Sequence, residues 1–328
     1  MASCRARVRE MGSPPLTGRR LAFVLGKGGV GKTTVAAALA LGMADAGHRT
    51  LLVEVAAEQR TGALFGVTPS LDDPVEVRPG LFALSVDAER ATQEYLTIQL
   101  KVRPLVEMMA RSRAFHQVTQ AAPGLAELVT LGKIWDMATK VHDGAPVWDR
   151  LVVDAPATGH GIALLRAAGN ARDLAGSGPI HDQAGAIEKV IRHPAATGIA
   201  VVARPEELAV TEAVEAVSTL REAGLPVACA VMNGVRRSSF SGDDAHALSA
   251  VASGPATGPA QRAAAEAALA IATGAAHDAR EVDGLARESG LPVAVLPEVP
   301  DLSPGSGGLE ALSAALLADP AIAGDHGA

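Results

Sequence analysis

The chain has 328 residues, 48% of them hydrophobic and 20% charged, with a formal net charge of -7. This is the profile of a soluble globular protein with a full core, and it argues against nucleic-acid binding through bulk positive charge. Cys4 and Cys229, the two cysteines, stand far apart without a C-x-x-C pair, which argues against a disulfide framework and against an in-chain zinc or iron–sulfur site.

Aromatic residues make up only 2% of the chain, so the core must be built from Ala, Val and Leu. No apolar run reaches the ~18 residues of a membrane span. Met1 to Arg20 hold several arginines but no apolar signal core, so this segment is expected to be a flexible leader and the protein cytoplasmic.

The first structured element is the apolar run Leu21–Leu25, which reads as a buried strand. It runs into Gly26-Lys27-Gly28-Gly29-Val30-Gly31-Lys32-Thr33-Thr34, which fits the phosphate-loop pattern G-x-x-x-x-G-K-[ST] and carries a second lysine, Lys27. An alanine-rich helix is expected from Lys32 to Ala46, with Gly47 as its stop signal. Strand, glycine loop and helix follow in the order that a nucleoside triphosphate site needs. A helix N-terminus offers unpaired N–H groups and partial positive charge to phosphate. Gly28, Gly29 and Gly31 let the backbone approach the oxygens without a Cβ in the way. Lys32 can reach the β- and γ-phosphates, and the Thr33 hydroxyl can ligate Mg2+.

Further strands are expected near Thr50–Val55, Leu81–Val86, Leu151–Asp154, Ile199–Ala203, Val227–Met232 and Val293–Leu296. Helices fit Pro205–Ala223, Pro259–Gly290 with a break near Gly274, and Gly308–Ala318. This alternation predicts an α/β fold with a doubly wound, mostly parallel sheet. One phosphate-loop domain is expected over 21–318. Residues 88–147 break the alternation and are expected to form a helical insertion. Ser238–Thr257 is expected to be a mobile loop, and 319–328 a frayed tail.

A second landmark is Trp148-Asp149-Arg150-Leu151-Val152-Val153-Asp154, a buried strand ending in a carboxylate. That is the context of a Walker B aspartate, which holds Mg2+ directly or through water. In the continuation Ala155-Pro156-Ala157-Thr158-Gly159-His160, Gly159 would let a loop sense the γ-phosphate, and His160 is a candidate switch residue.

On these residues the chain resembles the ArsA family of ATPases, which includes arsenite-pump ATPases and ATPases that target tail-anchored membrane proteins. The resemblance rests on Gly26–Thr34, on D-A-P-A-T-G-H at Asp154–His160, on A-P-G-L-A-E at Ala122–Glu127, on V-M-N at Val231–Asn233 and on L-P-E-V-P at Leu296–Pro300. The lysine-doubled loop is shared with the wider SIMIBI class of phosphate-loop NTPases; the Asp154–His160 motif narrows the match. The resemblance implies ATP and Mg2+ as ligands, with Gly26 to Thr34 on the phosphates and Thr33 and Asp154 on the metal. It also implies adenine near Asn233, with Pro297 in the adenine-side loop. It further implies a homodimer, or a heterodimer with a related chain, in which Lys27 reaches across to the partner's phosphates.

The chain departs from the family where an aspartate after the second strand positions the attacking water. Ala56 stands there, and either Glu54 or Glu58 is the acid that could substitute. The paired C-x-x-C zinc motif of the eukaryotic targeting members is absent; Arg236-Arg237 stands in the corresponding region, and no zinc is expected. Leu96, Ile98, Leu100, Val102, Leu105, Val106, Met108 and Met109 could line an apolar groove for a membrane-protein client, or simply pack the insertion on the sheet. The expected function is a Mg-dependent dimeric ATPase switch coupled to the insertion, with catalytic candidates Lys27, Lys32, Asp154 and Glu54 or Glu58. The alternatives are a nucleotide-binding regulator or chaperone-like scaffold with little turnover, and a MinD- or ParA-type positioning ATPase. The Leu309–Leu317 stretch, without lysine or arginine, disfavours membrane docking of the MinD kind.

Overall fold

The computed structural model describes residues 14–55, 60–68, 70–71, 73–87, 90–92, 124–255 and 257–324. In chain order the strands are β1 (Leu21–Gly26), β2 (Thr50–Glu54), β3 (Val75–Arg78), β4 (Leu81–Ser85), β5 (Val141–His142), β6 (Ala145–Pro146), β7 (Arg150–Asp154), β8 (Thr197–Ala203), β9 (Val227–Val235) and β10 (Val293–Pro297). The helices are α1 (Lys32–Asp45), α2 (Arg60–Phe65), α3 (Leu125–Thr139), α4 (Thr158–Ala175), α5 (Pro179–Arg192), α6 (Glu207–Glu222), α7 (Gly242–Ser253), α8 (Pro259–Ser289), α9 (Gly308–Ala318) and α10 (Pro320–Ala323).

Eight strands form one sheet in the order β10-β9-β8-β1-β7-β2-β4-β3. Every pair is parallel except β3 with β4. The strands read as continuous apolar runs because both faces are covered. Phe23, Leu51, Val153 and Val201 pack on one side against α3, α4, α5, α6 and α8. Ala22, Val24, Leu52 and Val152 pack on the other side against α1, α2 and α9. This is the expected doubly wound α/β architecture. On α1 the buried positions run from Val35 through Ala44 without interruption, so the helix is apolar all round and lies inside the fold. Its small residues permit close approach: a Cβ at Gly42 would lie 2.8 Å from Leu317 of α9.

The structure differs from the sequence reading in several places. Pro14 to Arg20, expected within a flexible leader, is packed: Leu16 and Arg19 are buried, and Arg19 Nη1 donates to the Thr197 carbonyl at 2.9 Å. The tail from Asp319 is not frayed through Ala323, because Ile322 inserts fully into the core beside Leu316. The expected mobile loop Ser238–Thr257 contains α7, started by a capping box in which Ser241 and Asp244 satisfy each other's backbone N–H. Helix α8 is unbroken at Gly274, where a Cβ would lie 2.8 Å from Arg236 Nη1; glycine there makes room for a side chain rather than for a bend. Thr158, Gly159 and His160, expected in a loop, form the first turn of α4, with Gly159 and His160 exposed. Of the expected insertion, α3 and the β5–β6 hairpin are described; Leu96 to Met109 and Ala122 lie outside the described residues.

Candidate nucleotide site

Parallel strands align their C-terminal ends, and the register of this sheet sets three polar side chains in a row there. Glu54 of β2 is level with Asp154 of β7 on one side and with Ser85 of β4 on the other. Next to β7 lies β1, whose end opens into the glycine loop that starts α1. Gly29 and Gly31 have φ of 85° and 88°, a region that side-chain-bearing residues rarely adopt. A Cβ at Gly31 would also fall 2.2 Å from Asn233 Nδ2. Gly31→Ala is therefore expected to deform the loop and weaken nucleotide binding about tenfold or more, through left-handed strain of about 1–2 kcal/mol plus the clash. A titration of the variant against wild type checks this.

The loop lysines and the two strand ends are joined by hydrogen bonds. Lys32 Nζ donates to the Lys27 carbonyl at 2.9 Å. Lys27 Nζ lies 2.5 Å from Glu212 Oε1 on α6. Thr33 Oγ1 donates to Asp154 Oδ2 at 2.6 Å. Asn233, at the end of β9, donates from Nδ2 to the Val30 carbonyl at 2.9 Å, so the residue expected at the adenine also braces the phosphate loop. Pro297 ends β10, and the next N–H, of Glu298, donates to the Val235 carbonyl at 3.0 Å, which ties the adenine-side candidate to the strand that carries Asn233.

The electrostatics converge on Asp154. Burial raises its carboxyl to about 6; the nearby Glu54 charge adds to the rise, while the Thr33 hydrogen bond, Lys32 and Arg60 oppose it. Its Oδ1 is buried without a hydrogen-bond partner. Burial lowers the Lys32 ammonium, with Asp154 opposing and Arg60 adding to the effect. An orphaned carboxylate oxygen beside a threonine hydroxyl is a donor set that suits a hard cation such as Mg2+, so the residues fit the metal that the sequence implies.

Glu54 is occupied differently. Its Oε1 accepts from the Arg60 N–H at 2.7 Å and its Oε2 from the Thr61 N–H at 3.0 Å, which caps α2. The carboxylate is buried and each oxygen accepts from a backbone N–H, so its orientation is set by the start of α2. Glu58, the other candidate, and Ala56 lie outside the described residues. Gly159 and His160 sit in the first turn of α4, which the link Ala155–Ala157 joins to the strand end that carries Asp154.

Three residues were not anticipated. Arg60 acts electrostatically on both Lys32 and Asp154. Glu212 holds Lys27. Asp278 of α8, fully buried, accepts from Arg236 Nη2 at 2.6 Å and from its backbone N–H at 2.7 Å, anchoring the chain just after Asn233. No sequence signal marks any of them, because each pairing is made by the fold.

Taken together, the sheet order, the glycine loop on β1 and the carboxylate ending its neighbour define a phosphate-loop NTPase fold. Residues 19–176 match the model of a family described as anion-transporting ATPases, and the chain belongs to this ArsA-type family. ATPase BagA of Mycobacterium tuberculosis is 38% identical over 224 residues, covering 66% of this chain and 66% of the relative. An arsenical pump-driving ATPase of Acidiphilium multivorum is 26% identical over 245 residues, 69% of this chain and 41% of the relative. ATPase GET3B of Arabidopsis thaliana is 29% identical over 166 residues, 45% of this chain and 40% of the relative. The matched stretch thus spans about two thirds of the first relative's length and less than half of the other two.

Proposed function

We propose that the chain is a Mg-dependent ATPase that works as a dimeric switch. Membership in a family of ATPases supports hydrolysis. The observation that carries the reading is the buried, unpartnered Oδ1 of Asp154 beside the Thr33 hydroxyl, at the mouth of a loop whose glycines take left-handed backbone. In this reading the loop amides and Lys32 hold the β- and γ-phosphates, and Thr33 and Asp154 hold Mg2+. When bound, the metal neutralises charge that develops on the transferring phosphoryl group. The oxygen of the Asn233 amide remains available to accept from the exocyclic amine of adenine. Pro297 lies on the same side.

Hydrolysis would change the contacts of the segments after β2 and β7, and α4 would carry that change to α3 of the helical insertion. The partner is a second copy or a related chain, with Lys27 crossing between them, and the insertion is the seat of a client, such as a membrane protein. A second reading, a nucleotide-binding regulator with little turnover, is favoured by one observation: Glu54 is committed to capping α2. Steady-state phosphate release separates the two. The ATPase reading expects release that requires Mg2+ and whose specific rate rises with chain concentration as dimers form. Tight nucleotide binding without release at any concentration would favour the regulator.

A further inference from the structure

The two lysines of the loop are held in series. Lys32 Nζ rests on the carbonyl of Lys27 at 2.9 Å, and the Lys27 ammonium rests on Glu212 at 2.5 Å. Glu212 belongs to α6, 185 residues along the chain, so the contact ties the phosphate loop to a helix on the far side of β8 in sequence. Both side chains of the pair are partly open to water, 44% for Lys27 and 33% for Glu212. A carboxylate and a phosphate compete for the same ammonium group, and a polyphosphate carries more charge and more acceptor oxygens. A half-exposed pair is weak enough to be exchanged; a buried one would lock the lysine in place.

We propose that Glu212 is a positioning residue for Lys27. It parks the second loop lysine on α6 and yields it when the triphosphate held by the partner subunit comes within reach, so that it lowers nucleotide affinity and makes release of α6 from the loop part of closure on the loaded partner. This inference rests on the ATP-binding reading of the loop. It makes α6 sensitive to whether phosphate occupies the loop of the partner subunit, through one exchangeable contact.

The test is a double-mutant cycle read by equilibrium titration of Mg-ATP at a chain concentration that favours the dimer. Glu212→Gln removes the competing charge at constant shape and is expected to tighten binding about two- to fivefold, the range of an exposed ion pair. Glu215→Gln removes the same charge from the same helix about one turn away and is expected to leave affinity unchanged. In a Lys27→Gln background the gain from Glu212→Gln should disappear, which a general stability or charge effect would not produce. Unchanged affinity in Glu212→Gln, or an equal gain when Lys27 is absent, overturns the proposal while leaving the ATP site intact. Failure of wild type itself to bind Mg-ATP would remove the underlying reading as well.

Discussion

Replacing Lys32 with alanine is expected to weaken Mg-ATP binding by about a hundredfold, the loss of one or two charge-assisted hydrogen bonds to phosphate. The fold should survive. Lys32 opens α1 at a partly exposed position, and its side chain donates to the Lys27 carbonyl of the same loop. The core side of α1 begins at Val35 and is untouched by the change. Burial already lowers the Lys32 ammonium, so its charge is costly where it stands and gains most from an arriving anion. Equal thermal melts for wild type and variant, with binding lost only in the variant, would match this expectation. Equal affinities would show that the phosphates are held elsewhere.

The second large effect is a trade between stability and activity at Asp154. Asp154→Asn is expected to make the chain more stable in magnesium-free buffer at neutral pH, by about 1–2 kcal/mol, while cutting ATP turnover by about two orders of magnitude. The carboxyl titrates near 6 in the folded chain, above its ordinary value of 3.8, because burial disfavours the charged form and Glu54 stands level with it on β2. A raised carboxyl has a definite sign. The folded state binds the proton more tightly than the unfolded chain. This group's contribution to stability is therefore full below the unfolded value and is lost as pH rises through about 6. At neutral pH the ionised Asp154 is a destabilising charge that a cation would relieve. Asparagine removes that charge and can still accept from Thr33. Thermal melts across pH 4 to 8 in chelator should show wild type falling behind the variant as pH rises, and Mg-ATP should reverse the order. A variant less stable than wild type at neutral pH in chelator would mean that the charge is already compensated within the chain.

The parts of this molecule that were legible in sequence are those written in contiguous residues. Leu21–Leu25 and Leu151–Asp154 are apolar runs because both faces of the sheet are covered, and Gly26–Thr34 is a local signature. Helix α4 was missed because its start, Thr158-Gly159-His160-Gly161, looks like a loop. Gly161 is there for packing: a Cβ would lie 2.9 Å from the Pro156 carbonyl oxygen and 3.0 Å from Leu25. The helix α7 did carry a signal, Ser241 followed three residues later by Asp244, but its serine, glycine and aspartate content reads equally as loop. The role of Glu54 depends on where α2 begins, and the Lys27–Glu212 and Arg236–Asp278 pairs join distant segments; neither kind of fact is encoded locally. The sequence thus exposes the chemistry of the phosphate loop. What surrounds and restrains that chemistry emerges only when register and packing are known.

The most direct measurement is a calorimetric titration of Mg-ATP into the purified, folded chain at several protein concentrations. One triphosphate should bind per chain, with an affinity that falls about a hundredfold in Lys32→Ala and an association heat that grows as chain concentration favours the dimer. Folded wild-type protein that shows no heat of association across the whole range would contradict a nucleotide site at Gly26–Thr34.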